Sequence, residues 1–323
     1  MKALLRWIPA CIFVVALPLL IHTDTVLTII VFSFLLGTVA VSYNLIFGYT
    51  GQLSMFHAAS FGVGAYATYI AMHYWRASFW EGLIFGALLV AILSAVVGII
   101  CFRFRLREFY FAVVTLAMSE MLHLVALNWN DVTNGSLGIN LTTKPTIWLP
   151  GAGTLTIQGT VAWYYVSALA LVLTIVLCRR VVTSWMGRAF AAIRLNDELG
   201  GALGINVFRY KLIVFVVAST IAAVIGGLYA YYLGYIEPDF LSIDQSLAII
   251  AMVLLGGRGA VAAPVVGALV LTTLPIVVHF NAEVHLMVDG LILILVILLM
   301  PQGIYGFVAD RLRRLNLRAS RAA

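Results

Sequence analysis

A carboxylate and an imidazole stand one helical turn apart in an otherwise apolar stretch. Glu120 and His123 occupy positions i and i+3, a spacing at which two side chains of one helix can contact each other. Ionisable groups at membrane depth are costly and generally face a cavity or a partner. With Thr115 and Ser119 nearby, the pair predicts a polar point on a translocation path or a proton relay. A structural pair that joins two helices fits the pattern equally well.

A second polar set surrounds the glycine-rich turn FGYTGQLS. Asn44, Gln52 and His57 flank this turn. A membrane helix that breaks leaves backbone groups without partners, and polar side chains commonly bind them. We therefore expect these three residues to satisfy backbone groups at the break, with a contribution to a path as the alternative.

Small residues follow the turn at helical spacing. Ser54, Ala58 and Gly62 recur every four positions, which allows another helix to approach closely. This face predicts either tight packing or a helix that lines a narrow path. The complete set of candidate path residues is Asn44, Gln52, Ser54, His57, Thr115, Ser119, Glu120 and His123.

A polar stretch between two apolar spans, residues 184–211, is here called the polar island. Asn196 suits the N-cap of a short helix over 197–203, because its side chain can accept hydrogen bonds from free backbone N–H groups. Acidic residues in the first turn complement the helix dipole. Gly204 suits the C-terminal stop.

A second, basic helical piece within the island covers residues 187–194. Orientation in a membrane requires charges but no capped helix between glycines. The pattern therefore favours a docking site for a soluble partner over a solvated basic loop. The residues assigned to docking are Gly187, Arg188, Arg194, Asp197, Glu198, Gly200, Gly201 and Gly204.

Composition defines the class of protein that must position these residues. The chain is 63% hydrophobic and 10% charged, whereas soluble domains are about a quarter charged. Long continuous apolar runs indicate an all-α polytopic membrane protein rather than a barrel. The formal charge of +6 is not read as a nucleic-acid signal, because the basic residues follow membrane topology. The sequence lacks a P-loop, an HExxH or GxSxG motif and metal-like cysteine spacing, so an enzyme or a metal site is not expected.

About ten transmembrane helices are predicted within one permease domain over residues 1–323, and the first is interpreted as a retained span rather than a signal peptide. The predicted spans are 8–21, 25–47, 53–72, 82–101, 109–127, 161–178, 212–234, 245–256, 262–279 and 286–300. The eighth and tenth are short, and a count of eight spans, without the eighth and ninth, would preserve the same orientation.

Basic residues orient the chain. With both termini in the cytoplasm, all lysines and arginines except Arg76 and Lys144 lie inside, as the positive-inside rule requires. This orientation makes 128–160 an outer (periplasmic) loop, 179–211 a cytoplasmic coupling loop and 301–323 a basic cytoplasmic tail. We expect the outer loop to fold or to contact a partner, because Trp129, Ile139 and Trp148 give it residues to pack.

Two glycine-rich turns, FGYTGQLS and LGGRGA, each precede a helix of small residues. They suggest a weak internal echo. The pattern does not match the inverted repeats of many transporters, so the echo carries little weight by itself.

Ordered motifs over nearly the whole chain resemble the permeases of branched-chain amino acid ATP-binding cassette (ABC) importers, most closely the M-type subunit. The motifs are NLIFGYTGQLSMFHAASFGVGAYA (44–67), FYFAVVTLAMSE (109–120), TNGSLGI (133–139), GRAFAAIRLNDELGGALGINVFRYKL (187–212), LLGGRGAVAAPVVGA (254–268) and LLMPQGIYG (298–306).

This resemblance implies a location in the bacterial inner membrane and a set of partners. They are an H-type permease, two cytoplasmic ATPase subunits and a periplasmic substrate-binding protein. ATP and Mg²⁺ would then act on the ATPase chains, and this chain would bind no cofactor. The family's EAA-like coupling element corresponds to 198–204, where Gly200 and Gly201 replace the more usual alanines.

Other functions remain open at this point. An ion-coupled secondary transporter would use Glu120 and His123 and would need no ATPase. A membrane scaffold would transport nothing. Related permeases for urea and short amides resemble the same motifs, so the substrate class is expected, but not fixed, to be branched-chain amino acids.

Overall fold

The computed structural model describes residues 17–18, 23–104, 106, 108–149, 153–258, 260–278, 290 and 303–307. The predicted span 286–300 lies outside these residues except for residue 290. Most of the predicted span 8–21 and of the tail 301–323 also lies outside them. The ten-span count and the positions of the termini therefore stay predictions.

The predicted all-α class is confirmed in the described part of the chain. In chain order its helices are α1 (Asp24–Asn44), α2 (Phe56–Tyr74), α3 (Phe79–Arg103), α4 (Glu108–Asn128), α5 (Asn130–Thr133), α6 (Thr160–Thr183), α7 (Trp185–Leu195), α8 (Asp197–Ala202), α9 (Val207–Leu233), α10 (Ile243–Gly256) and α11 (Ala263–Val278). A π-helical turn over Leu45–Thr50 continues α1, and 3-10 turns cover Gly135–Leu137 and Pro238–Leu241.

Five segments of the described chain are long and apolar enough to cross a membrane. They are Asp24–Thr50, Phe79–Arg103, Phe109–Asn128, Thr160–Thr183 and Val207–Leu233, and each overlaps a predicted span. Helix α2 overlaps the predicted span 53–72, but its many small and polar residues are mostly buried inside the protein. It is therefore a central helix surrounded by protein rather than by lipid.

Close backbone contacts hold α2 against α9. A Cβ atom added at Gly64 would lie 2.2 Å from the Ala223 carbonyl oxygen, and one added at Gly226 would lie 1.9 Å from that of Phe61. Only glycine permits this approach at both positions. In the predicted small face, Gly62 allows close packing against a turn, since a Cβ there would lie 2.4 Å from Leu241 Cδ1.

The chain between α9 and α10 returns into the bundle before the next helix begins. Leu241 packs on Gly62 of α2, and its carbonyl accepts a hydrogen bond of 3.4 Å from Ser119 near the middle of α4. Helix α10 therefore starts deep in the bundle. This placement explains why 14 residues, about 21 Å of helix, suffice for a segment that the sequence predicts as a short span.

Two small antiparallel ladders lie in or next to the segment between α4 and α6. Strand β1 (Ile139–Asn140) pairs with β4 (Tyr235–Ile236), and β2 (Thr146–Leu149) pairs with β3 (Gly153–Thr156). Ile139 is buried, as expected of a residue that packs the loop, whereas Trp129 is half exposed. The first ladder connects this segment to the chain that re-enters the bundle.

Candidate functional site

The non-helical segment between the π-helical turn and α2 has its backbone satisfied by side chains. The Ser54 N–H donates to the Tyr43 hydroxyl at 3.3 Å. The Met55 N–H donates to Thr115 Oγ1 at 3.1 Å, and the Met55 carbonyl accepts from Ser246 Oγ at 2.9 Å. Irregular backbone at membrane depth is tolerated where protein supplies such partners. Thr115 thus has a structural contact that its sequence position did not reveal.

The polar residues around the break are buried, and their side chains are only partly paired. His57 Nε2 lies 2.9 Å from Ser42 Oγ, and Asn44 Nδ2 donates to the Ala260 carbonyl at 3.2 Å. His57 Nδ1, Asn44 Oδ1 and Gln52 Oε1 have no hydrogen-bond partner among the described residues. Asn44 thus binds a backbone carbonyl, but one of the second glycine-rich turn rather than one at the break that it flanks.

The two glycine-rich turns of the sequence meet in space. Besides the bond from Asn44, the Arg258 guanidinium lies 4.0 Å from the centre of the Phe47 ring, a cation–π distance. Burial and the nearby Arg194 lower the pKa of Arg258. The weak echo in the sequence therefore corresponds to two turns that form one cluster.

Arg194 of the polar island joins this cluster. Its Nη1 donates to the Gly48 carbonyl at 2.6 Å, across 146 residues of sequence. Gly48 lies in the π-helical turn that ends α1, where unpaired carbonyls favour a cation. Arg194 was assigned to partner docking, but this contact shows that its side chain binds its own chain. It ties the island to the break.

The capped helix predicted within the island is confirmed. Asn196 Oδ1 accepts hydrogen bonds from the backbone of Glu198 at 2.8 Å and of Leu199 at 3.4 Å. Helix α8 then ends before Gly204, whose φ of +81° is a left-handed conformation suited to glycine. The basic helical piece predicted at 187–194 is also confirmed, as α7.

Several residues assigned to docking have internal roles instead. Asp197 forms an ion pair with Lys211, whose side chain is buried. A Cβ at Gly187 would lie 1.8 Å from the Val182 carbonyl oxygen, so this glycine allows α6 and α7 to meet. By contrast, a Cβ at Gly201 would meet nothing within 4 Å. Glu198 and Arg188 remain exposed, and the Arg188 guanidinium lies 4.1 Å from the Trp185 ring centre.

The sequence reasoning missed three leucines on the outer surface of the island. Leu195, Leu199 and Leu203 are 87%, 62% and 76% exposed and recur every four residues. The spacing itself was visible in the sequence. Apolar residues give little signal in a chain that is 63% hydrophobic, whereas the charges and glycines of the island are distinctive.

Glu120 and His123 form the predicted pair in α4, directly after Ser119. His123 Nδ1 lies 3.4 Å from Glu120 Oε1, and His123 Nε2 lies 3.8 Å from Asp239 Oδ1. His123 and Asp239 line a cavity of about 870 Å³. Asp239 was not singled out in the sequence, because it is brought to α4 by the chain that re-enters between α9 and α10.

The eight candidate path residues thus fall into two groups. Asn44, Gln52, Ser54, His57 and Thr115 lie around the break after α1. His123 lines the cavity, and Glu120 pairs with it. Ser119 lies between them, bound to Leu241. Within the described chain, no hydrogen bond joins the two groups.

Apolar helices and buried non-helical breaks together define a multi-pass membrane protein. Residues 25–297 match the family model described as branched-chain amino acid transport system / permease component. The chain belongs to this family.

The names of individual relatives agree with this family assignment. The chain is 27% identical to the high-affinity branched-chain amino acid transport system permease protein LivM of Escherichia coli (strain K12), over 94% of this chain and 75% of the relative. It is 25% identical to LivH of the same organism, over 83% and 90%. It is 29% identical to a probable LivM of Methanocaldococcus jannaschii, over 55% and 50%. No solved structure matches the chain.

Proposed function

We propose that this chain is the M-type permease subunit of an ABC importer that moves branched-chain amino acids across the bacterial inner membrane. An H-type permease, two cytoplasmic ATPases and a periplasmic binding protein complete the assembly. The ATPases hydrolyse ATP with Mg²⁺, and this chain binds no cofactor. In this orientation the polar island faces the cytoplasm and the Glu120–His123 pair lies toward the outside.

The three exposed leucines of the island carry this proposal. Leu195 ends α7, Leu199 lies within the capped helix α8 and Leu203 directly follows α8, so that three exposed apolar side chains lie along this helical pair. Burying one exposed leucine contributes about 1.5–3 kcal/mol, so a partner with an apolar groove would gain substantially from covering all three. Exposed Glu198 and Arg188 beside them would set the register of docking.

The island is also connected to the membrane bundle in a way that suits transmission of movement. Arg194 ties α7 to the carbonyl of Gly48. At the end of α1, just before the π-helical turn, the Tyr43 hydroxyl accepts from the Ser54 N–H. Met55, next to Ser54, is held by α4 and α10. Displacement of the island by an ATPase would therefore reach the broken segment through a short series of polar contacts.

A pull-down tests docking directly. The tagged chain is purified in mild detergent from its native membrane, and co-purifying ATPase is identified and quantified for wild type, Leu199→Asp and Leu137→Asp. Leu137 is 75% exposed but lies between α4 and α6, away from the island. We expect Leu199→Asp to lose the ATPase and Leu137→Asp to retain it. Wild type without ATPase, or an equally well bound Leu199→Asp variant, would refute the proposal.

An ion-coupled carrier is the second candidate, because His123 lies between two carboxylates. Such a carrier would need no ATPase, and Glu120→Gln should abolish proton-driven uptake while substrate still binds. In an ABC importer, the same variant should keep ATP-dependent uptake. Uptake assays in vesicles with ATP alone or a proton gradient alone separate the two.

A further inference from the structure

The cavity beside α10 has a polar end and an apolar end. It lies between α1, α10 and α11, and the turn Pro238–Leu241 forms part of its wall. Its volume of about 870 Å³ falls within the range of roughly 300–1,000 Å³ that is usual for small-molecule sites. Neither the family description nor the names of the relatives assigns a role to it.

Acidic side chains dominate the polar end. Glu237, Asp239 and Asp244 line it, and His123 is the basic side chain among its described lining residues. Burial, and secondarily the adjacent Asp239, raises the pKa of Glu237. Glu237 is partly buried, whereas Asp239 and Asp244 are exposed. Adjacent carboxylates such as Glu237 and Asp239 repel each other, and a cation that enters relieves this repulsion. The polar end is therefore complementary to an ammonium group.

The N-terminus of α10 supplies a feature of opposite sign. Ser242 caps this helix by accepting from the Gln245 N–H at 3.2 Å, and both residues line the cavity. Helix N-termini favour anions, and half-helices in transporters point theirs at substrate carboxylates. A ligand with an ammonium and a carboxylate on one carbon could meet both features at once.

The apolar end is formed by one face of α10 and its neighbours. Leu247, Ile250 and Leu254 lie on that face at positions i, i+3 and i+7, with Leu36 and Leu271 on the adjoining helices. These side chains are aliphatic. They would bury a branched or linear hydrocarbon group without providing it any hydrogen-bond partner.

We infer that this cavity is a binding site for a zwitterionic amino acid with an aliphatic side chain, its ammonium at Asp239 and Glu237 and its side chain along α10. The inference rests on the proposed function, since it locates that function's substrate within this chain. The site lies on the re-entrant segment, where the structure departs from a simple helical bundle.

The test uses the complete reconstituted importer with its leucine-loaded binding protein. Variants Asp239→Asn and Asp239→Asn/Asp244→Asn are compared with Asp131→Asn, an exposed carboxylate outside the cavity. We expect leucine uptake by the double variant to fall about tenfold or more, because the ammonium group of leucine would lose its carboxylate partners. ATPase stimulation by the binding protein should persist, and Asp131→Asn should transport normally.

A labelling experiment locates the ligand independently. Ala248→Cys places a thiol in the cavity wall, in a chain whose native cysteines are replaced by serine. During turnover, leucine should slow reaction with a thiol reagent, whereas the hydroxy-acid analogue that lacks the ammonium should not. Labelling that responds to lipid chain length but not to leucine would identify a lipid occupant and overturn the inference.

The outcomes distinguish a failure of the proposed function from a failure of the cavity assignment. If the wild-type assembly transports no leucine, the proposed function fails and leucine is excluded as the ligand. If wild type transports leucine while the double variant does so equally well and Ala248→Cys is not protected, only the cavity assignment is wrong.

Discussion

The charged side chains at the two ends of this bundle have different surroundings. At the end that holds the polar island, Arg194 binds the Gly48 carbonyl, Arg258 lies over Phe47 and Asp197 pairs with Lys211. At the other end, Asp239 and its neighbours line a cavity, and Asp239 Oδ1 lies 3.8 Å from His123 Nε2.

This difference distinguishes charges that stabilise the fold through partners in the chain from carboxylates that line the cavity. A charge that donates to a helix end or an ion partner fixes two segments of chain relative to each other. A carboxylate that lines a cavity stabilises little within the fold. We therefore expect substitutions at the island end to affect stability and coupling, and substitutions at the cavity end to affect transport.

The largest expected effect is at the corner between α6 and α7. Gly187→Ala places a Cβ 1.8 Å from the Val182 carbonyl oxygen, so the backbone must shift, at a cost of about 3 kcal/mol or more. The melting temperature of the purified chain should fall by several degrees, and the ATPase should no longer co-purify. Unchanged melting and docking would mean that the corner is not the rigid base of the island.

The second effect tests the connection through Arg194. Arg194→Met removes a charged hydrogen bond worth about 1.5–3 kcal/mol, while the exposed leucines stay in place. We expect the ATPase to co-purify normally but leucine uptake per ATP hydrolysed to fall. Arg180→Met, a change to an exposed arginine at the end of α6, is the matched control. Equal coupling in both variants would contradict the transmission argument.

The third prediction compares the same change, Asp to Asn, in the polar island and in the cavity. Asp197→Asn leaves the buried Lys211 without its ion partner, and unfolding free energy should drop by about 1–2 kcal/mol. Asp239→Asn should leave stability unchanged, because that side chain is 76% exposed and lines the cavity. Thermal unfolding in one detergent measures both, and a larger loss at Asp239 would reverse the comparison.

The smallest expected effect has the opposite sign. Gly201→Ala adds a Cβ that meets nothing within 4 Å, and alanine is more favourable than glycine in a helix by up to about 1 kcal/mol. We expect a slightly higher melting temperature of the purified chain, and co-purification of the ATPase that is normal or increased. A loss of docking would show that α8 must remain soft to fit its partner.

Sequence reasoning succeeded where structure follows from local pattern. Asn196 and Gly204 define α8 through contacts within a few residues, and the long apolar runs predict their helices within a few residues. Reasoning from spacing failed where a side chain crosses the fold. The 146 residues between Arg194 and Gly48 leave no local signal, and the charge of Arg194 suggested a partner rather than its own chain.

The re-entrant segment shows the same limit at the other end. Glu237 and Asp239 lie between the predicted spans 212–234 and 245–256, but nothing in their spacing indicates that Leu241 returns to the level of Gly62 and Ser119. The cavity exists because of this return. A site formed by backbone that leaves regular structure is the kind of site that helical periodicity cannot predict.

The short ladder between β1 and β4 has a consequence for local opening. Ile139 pairs with Ile236, and the Leu141 N–H donates to the Gly234 carbonyl at 2.9 Å, immediately before the residues that line the cavity. Segments joined in this way open to solvent as one cooperative unit. Amides of residues 139–141 and 235–236 should therefore exchange hydrogen for deuterium at a common rate. A ligand held in the cavity should slow exchange in both segments. Hydrogen exchange at residues 139–141 would then report whether the cavity is occupied.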